Sequence, residues 1–308
     1  MSDIKPFEWF GHHKILRYVS IEAEVVNEEP LRVGAGKEAS VFEPVDLVVL
    51  KMYDVARRTY IPVIPGSSWK GLFRAHAVRI CRALGLEVCD GVPGSTCLRG
   101  NDFIDYERRN ISLESKLDLL INATIRICLL DLIFGGPGFL SHVAFSDSLP
   151  VEDFKLGYRT MVALDRRTGV SSRRALFKVE YVEPGARFNF GITTKNLPNY
   201  ALGLLAEILG DLNNGVIRVG GLKSRGFGRV KIENLVFRIR EFGGEPLRAL
   251  DPIDSSVEVA SQKLEGKDAW ELLNKLIDVW YGSLEKLRMV SENRWRWGVV
   301  LNEEAKSA

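Results

Sequence analysis

Val19-Ser20-Ile21-Glu22-Ala23-Glu24-Val25 alternates apolar and polar side chains one for one, which is the period of a strand with one buried face. A turn containing Gly34 and Gly36 follows, then an apolar run over 45–50 interrupted by Asp46. Ser67 and Ser68 are N-cap candidates for a helix reaching about Leu84, with Gly85 as its stop. Residues 86–112 are rich in Gly, Asp and Asn and read as an insertion, and the pattern predicts a helix over 113–134. Strands are predicted over 143–149, 156–164, 175–182 and 186–194, the middle two forming a long hairpin around a basic tip at 165–174. Leu202, Leu205, Ala206 and Leu209 mark a second core helix over 200–212, and 229–239 closes the set as a strand. The order strand, helix, strand, strand, helix, strand predicts an α+β fold. Its core is ferredoxin-like (RRM-like), with insertions, a long basic hairpin and a C-terminal helical extension. The expected organisation is a domain over 1–241, with its insertion at about 86–112, and an extension over 242–308 whose amphipathic helix spans 267–288.

The 308 residues are 46% hydrophobic with a formal net charge of +2, a balance that excludes global disorder. The most apolar stretch, 117–134, carries Asp118, Asn122, Arg126 and Asp131, so no bilayer-spanning run is expected. No secretory signal is visible, and the expected compartment is the cytoplasm. There the 4 cysteines suit metal binding or burial better than a disulfide framework.

The small net charge hides basic clusters. Lys70, Arg74, Arg79 and Arg82 stand in 69–82 without an acid; Arg159, Arg166, Arg167, Arg173, Arg174 and Lys178 crowd the hairpin against Asp165. The densest chemistry is Gly220-Gly221-Leu222-Lys223-Ser224-Arg225-Gly226-Phe227-Gly228-Arg229. Its glycines permit positive φ and close backbone approach, while Lys223, Arg225 and Arg229 supply charge for phosphates. The spacing matches neither a Walker loop nor a dinucleotide fingerprint. In Pro65-Gly66-Ser67-Ser68-Trp69-Lys70-Gly71, a tight turn feeds a helix N-terminus that favours an anion, and Lys70 and Arg74 lie four apart on one helical face.

These two motifs, in this order, resemble the RAMP superfamily of CRISPR-associated proteins, and most of all the Csm-type backbone subunit of type III effector complexes. The resemblance covers about 16–240. It implies a subunit that binds CRISPR RNA as part of a filament of its own copies, pairs it with target RNA beside other type III subunits, and makes no membrane contact. In target-cleaving members an Asp lies between the first glycines and the Ile-Pro-Gly-Ser-Ser motif. Asp46 falls in that place, followed by Leu47 where a more polar loop is usual, and Asp54 is the other acid in the window. Asp46 would hold Mg or Mn beside the scissile phosphate or assist the neighbouring 2′-hydroxyl, making the subunit a metal-dependent endoribonuclease. The basic hairpin resembles the family's thumb. Related proteins can carry a small zinc-binding insertion, for which Cys89, Cys97 and Cys128 are candidates with Cys81, His76 or Asp131 as the fourth ligand. His12, His13 and His142 show no ligand spacing. A non-catalytic RAMP scaffold and a guide-processing endoribonuclease are the alternatives; no histidine acid or base stands near the Gly-rich segment to favour the latter.

Overall fold

The computed structural model describes residues 5–34, 45–92, 94–99, 102, 112–164, 167 and 171–301. In chain order its elements are β1 (Arg17–Asn27), β2 (Lys51–Asp54), β3 (Thr59–Pro62), α1 (Gly66–Ala83), α2 (Leu113–Ile121), α3 (Leu129–Phe134) and β4 (Val143–Phe145). They continue as β5 (Leu156–Leu164), β6 (Ser171–Val182), β7 (Arg187–Lys195), α4 (Asn199–Asn213), β8 (Val230–Glu241), β9 (Lys263–Glu265), α5 (Gly266–Gly282) and α6 (Leu284–Glu292).

The alternating stretch is the middle of an antiparallel sheet in the order β4-β7-β1-β8-β9. Val19 pairs with Thr194 on one side and Ile239 on the other. With β9 set aside, β1-α1-β4-β7-α4-β8 is the ferredoxin-like connection, its second strand reduced to three residues. Val19, Ile21 and Val25 are buried beneath α1 and α4, where Trp69 meets Phe190 edge-on at 4.9 Å. The long hairpin β5-β6 and the short hairpin β2-β3 stand outside this sheet.

Several boundaries differ from expectation. The first helix begins at Gly66, with Pro65 rather than a serine at its cap, because Asp147 Oδ1 accepts the Gly66 N–H at 2.7 Å. The stretch 113–134 breaks after Ile121, where Ala123 adopts φ 55°, and the strand expected over 143–149 is confined to Val143–Phe145. The helix expected over 267–288 divides at Ser283, whose hydroxyl donates to the Val279 and Ile253 carbonyls.

Residues beyond Phe242 share the main hydrophobic core: Leu272, Leu276, Trp280, Trp295 and Trp297 belong to the same cluster as Phe10, Trp69 and Leu205. α5 crosses α4 so closely at Gly203 that a Cβ there would lie 2.1 Å from the Leu276 carbonyl oxygen. Buried polar groups complete the join. Trp9 Nε1 and the Tyr200 hydroxyl donate to Asp251 at 2.6 and 2.8 Å, and Asp254 accepts the N–H groups of Asn199 and Leu250, each at 3.0 Å. Among the described residues no helix is long and apolar enough to cross a membrane.

Burial, with the neighbouring Asp251 charge, pushes the Asp254 carboxyl up to about 7. The unfolded value is about 3.9, so the folded state holds the extra proton between these limits, and stability falls as pH rises through that window. The expected result is a thermal midpoint that declines between about pH 4 and pH 7, with a flatter profile in Asp254→Asn. Parallel midpoint–pH profiles for the two proteins would remove Asp254 as the cause.

Candidate nucleic-acid interface

Two of the motif's glycines have no substitute. Gly220 has φ 78° and a Cβ there would lie 2.2 Å from the Arg32 carbonyl oxygen; Gly228 has φ 89° and its Cβ would lie 2.1 Å from the Val219 oxygen. The loop is closed by Val219 N–H to Gly228 O at 2.8 Å, and fastened to the strand end by Gly221 N–H to Arg32 O at 2.8 Å and Gly228 N–H to Pro30 O at 3.0 Å. Between these ties Lys223–Arg225 forms a single 3-10 turn. Charge is sorted along the loop. Arg218 pairs with Glu29 and Arg229 with Glu28, whereas Lys223 and Arg225 are exposed and have no ion pair among the described residues. Partial burial, then the charge of Arg79 on α1, holds the Lys223 ammonium below its ordinary value.

Phe227, fully buried, joins the loop to two distant segments. It packs with Val179 and Tyr181 of the hairpin base and with Leu47, Met161 and Phe177, in an apolar cluster separate from the main core. Tyr181 meets its ring edge-on at 5.7 Å, and the Arg159 guanidinium lies 5.5 Å from the Tyr181 centroid and 5.1 Å from that of Phe227. Asp46 sits on the same hairpin. Its N–H donates to Lys178 O at 3.1 Å, its Oδ2 accepts the Lys178 N–H at 2.7 Å, and Leu47 bridges Val179 in parallel. The carboxylate is exposed, so Oδ1 is open to a ligand. Asp54 by contrast closes its own turn, accepting from Ala56 N–H at 2.8 Å and Arg57 N–H at 3.2 Å. Beside the Asp46 segment, buried Glu180 holds Lys51 Nζ at 2.7 Å and the Val49 N–H at 3.0 Å.

The other motif serves the core more than the surface. A Cβ at Gly66 would lie 2.2 Å from the Phe145 oxygen, and Trp69 is buried with its Nε1 on Ser148 Oγ at 2.8 Å. With Asp147 on the Gly66 N–H, this end of α1 is covered by its own chain, which corrects its reading as an anion site. Lys70 is half-buried, and burial, then Arg74, lowers its pKa. Arg74 does not run with Lys70 along a phosphate-facing surface: its guanidinium turns inward to Asp131 Oδ1 at 2.5 Å and the Gly135 oxygen at 2.6 Å. A buried carboxylate with no other cation on it among the described residues draws it in.

That carboxylate belongs to the cysteine group. Cys89, Cys97, Cys128 and Asp131 place their donor atoms within 4.8 Å of one another. Cys89 Sγ is 3.6 Å from Cys128 Sγ and 3.1 Å from Asp131 Oδ2. A tetrahedron with Zn–S bonds of about 2.3 Å has edges near 3.8 Å, so the donors match zinc in number, type and spacing. Burial, followed by the Cys89 charge, pushes the Asp131 carboxyl up to about 6, and burial pushes the Cys128 thiol well up. His76 is not a member: its ring nitrogen Nε2 lies 2.7 Å from Asp211 Oδ2, because α1 turns it toward α4. Cys81 is buried in the core outside the group.

At the hairpin tip, Arg167 is an exposed turn residue. Arg166 lies outside the described residues. Arg173 and Arg174 lie on β6, and their side chains are likewise outside the description. To the basic residues read from the sequence, among them Arg159 and Lys178, the structure adds Arg32. Arg159 carried its signal in the basic cluster of the hairpin, and the structure sets it opposite Val179, one position beyond the residue holding Asp46. Arg32 carried none beyond its place between two apolar residues.

The fold is thus an α+β ferredoxin-like core bearing a glycine-closed loop whose cations are unpaired among the described residues and an adjoining basic hairpin, the makings of a nucleic-acid-binding protein. The family model of the RAMP superfamily matches residues 27–231, more than half of the chain, and the protein belongs to that superfamily. No curated protein matches it. Among solved structures it is similar to a chain from a cryo-EM structure of the type III-B Cmr-beta bound to cognate target RNA, with 13% identity and a TM-score of 0.42. The likeness covers 73% of this chain and 61% of that one.

Proposed function

We infer that the protein is an RNA-binding backbone subunit of a type III CRISPR interference complex that holds CRISPR RNA and cleaves the paired target RNA. The observation that carries this reading is the convergence around Phe227. One apolar cluster fixes the glycine-closed loop, the hairpin base and the Asp46 segment together. Lys223, Arg225, Arg159 and Lys178 stand around it without an ion pair among the described residues. Family membership supports the same reading. Such a surface contacts phosphate and sugar and leaves sequence to base pairing, as a subunit serving any guide must. Copies stacked head to tail along the guide make a heterologous, open contact.

Asp46 fits a magnesium or manganese ion in its chemistry, since such ions take one or two carboxylate oxygens and complete their shell with water and phosphate. The ion, when bound, supplies positive charge at the scissile phosphate. The chain itself fixes the Asp46 carboxylate through the Lys178 N–H at the edge of the cationic surface. Asp46 belongs to no group of three or more candidate ligands among the described residues, so in-line positioning by the paired RNA carries much of the rate. Zinc on Cys89, Cys97, Cys128 and Asp131 would brace the insertion against α1 and take no part in the reaction.

The binding half of this reading is tested on the intact chain. Lys223→Glu with Arg225→Glu is expected to weaken guide RNA binding by about tenfold or more and to flatten the log K–log salt plot by at least about 1.4 for two lost contacts. Equal affinity and slope in wild type and variant would defeat the assignment of the loop. Processing of repeat RNA by the isolated protein would instead favour the guide-processing alternative.

A further inference from the structure

Arg32 is a buried cation without an ion-pair partner among the described residues. Its flanking residues Leu31 and Val33 belong to the main core, while the Arg32 guanidinium lies against Gly34 and, in the glycine-closed loop, Gly221. It is 9% exposed, its Nε is buried with no hydrogen-bond acceptor, and it makes no ion pair among the described residues. Burial lowers its pKa. A guanidinium so placed is costly unless an anion accepts its protons.

The surroundings show which anion fits. Gly34 and Gly221 line the guanidinium, and Gly220 packs on the Arg32 carbonyl. A Cβ on Gly34 would lie 2.8 Å from Nη2, and one on Gly221 would lie 3.3 Å from Nη1. Side chains are therefore kept off the fork and a backbone-lined approach to it remains. Lys223 and Arg225 follow in the same loop with no carboxylate on them among the described residues. A single protein carboxylate would satisfy Arg32 and leave those two cations unanswered. A chain of phosphates answers all three, and the planar fork suits two oxygens of one phosphate.

We propose that Arg32 is the seat of one phosphodiester of the bound RNA, held from beneath by its guanidinium while Lys223 and Arg225 contact neighbouring phosphates. The proposal rests on the RNA-binding reading above. It makes Arg32 a binding residue that the basic clusters of the sequence do not contain.

The test compares the intact wild-type chain with Arg32→Gln, using a short single-stranded RNA across a salt series together with thermal unfolding without RNA. Expected are a loss of about tenfold or more in affinity, a log–log salt slope shallower by about 0.7, and an RNA-free midpoint unchanged or raised, because an uncompensated buried charge is gone. Gly221→Ala, whose Cβ would press on Nη1, is expected to weaken RNA binding without changing the slope, and it serves if Arg32→Gln does not fold. Wild-type binding with unaltered affinity in both variants overturns the proposal alone. A lowered RNA-free midpoint in Arg32→Gln with RNA affinity intact also overturns it, assigning Arg32 to an ion pair within the chain. A wild-type chain that binds no RNA overturns the underlying reading and the proposal with it.

Discussion

Asp46→Ala is expected to lower target-RNA cleavage by about 10²–10⁴-fold while leaving guide RNA binding unchanged, the range lost when a positioned acid, base or metal-holding carboxylate is removed. The separation follows from position. Asp46 stands at the edge of the cationic surface, not within it, and its tie to the chain is the pair of backbone contacts with Lys178. Truncation deletes the carboxylate but leaves Lys223, Arg225 and Arg159 where Phe227 fixes them. Asp46→Asn is the sharper variant, because its amide oxygen still accepts the Lys178 N–H and only the charge is lost. Cleavage of target RNA by the reconstituted complex, with magnesium or manganese and then with chelator, is the measurement. Regularly spaced products that vanish in both variants and with chelator fit the assignment. Unaltered cleavage in Asp46→Asn would remove Asp46 from the chemistry, and a wild-type complex that holds guide but cuts nothing would leave a scaffold.

The second large effect concerns zinc. The purified protein is expected to carry about one zinc per chain, and Cys128→Ser to lose most of it, since tetrahedral zinc needs all four donors. With free zinc at about 1,000 times its Kd, binding adds about 4 kcal/mol to the folded state, so a strong chelator is expected to lower the thermal midpoint by roughly 10 °C. The ligand set is checked by contrast. Asp131→Asn weakens retention, and Arg74→Ala weakens it less by releasing the group that orients Asp131 at 2.5 Å. His76→Ala leaves zinc content unchanged, because its ring faces Asp211. Metal analysis that finds no zinc in the wild type, or full retention in Cys128→Ser, would dismiss the site.

Much of the fold is legible in the sequence because period and punctuation are local. The alternation of β1, the spacing of Leu202, Leu205, Ala206 and Leu209, and the two long apolar runs of the hairpin each announce their element, and their order dictates the sheet. The misjudged features are those settled by contact. Ser67 and Ser68 lost the cap because Asp147, 81 positions from Gly66, reaches its N–H first. Arg74 looked like a phosphate ligand because helical spacing shows which face a residue occupies but not what covers that face; here Asp131 does. The segment beyond Phe242 changes composition and so reads as an addition, yet its tryptophans complete the core that Phe7, Trp9 and Phe10 begin.

The sequence by itself determined the order of elements, the glycines that only a tight loop requires, the clusters of positive charge and the identity of three sulfur donors. Each of these is a property of neighbouring residues or of residue type. Only the tertiary structure decided which charges are spent and which remain. Arg218, Arg229 and Arg74 are neutralised by acids from elsewhere in the chain, while Lys223, Arg225 and the buried Arg32 are left without one among the described residues. Ion pairing depends on distances of a few ångströms between segments tens to hundreds of residues apart, and folding sets those distances by burying apolar surface, in this case around Phe227.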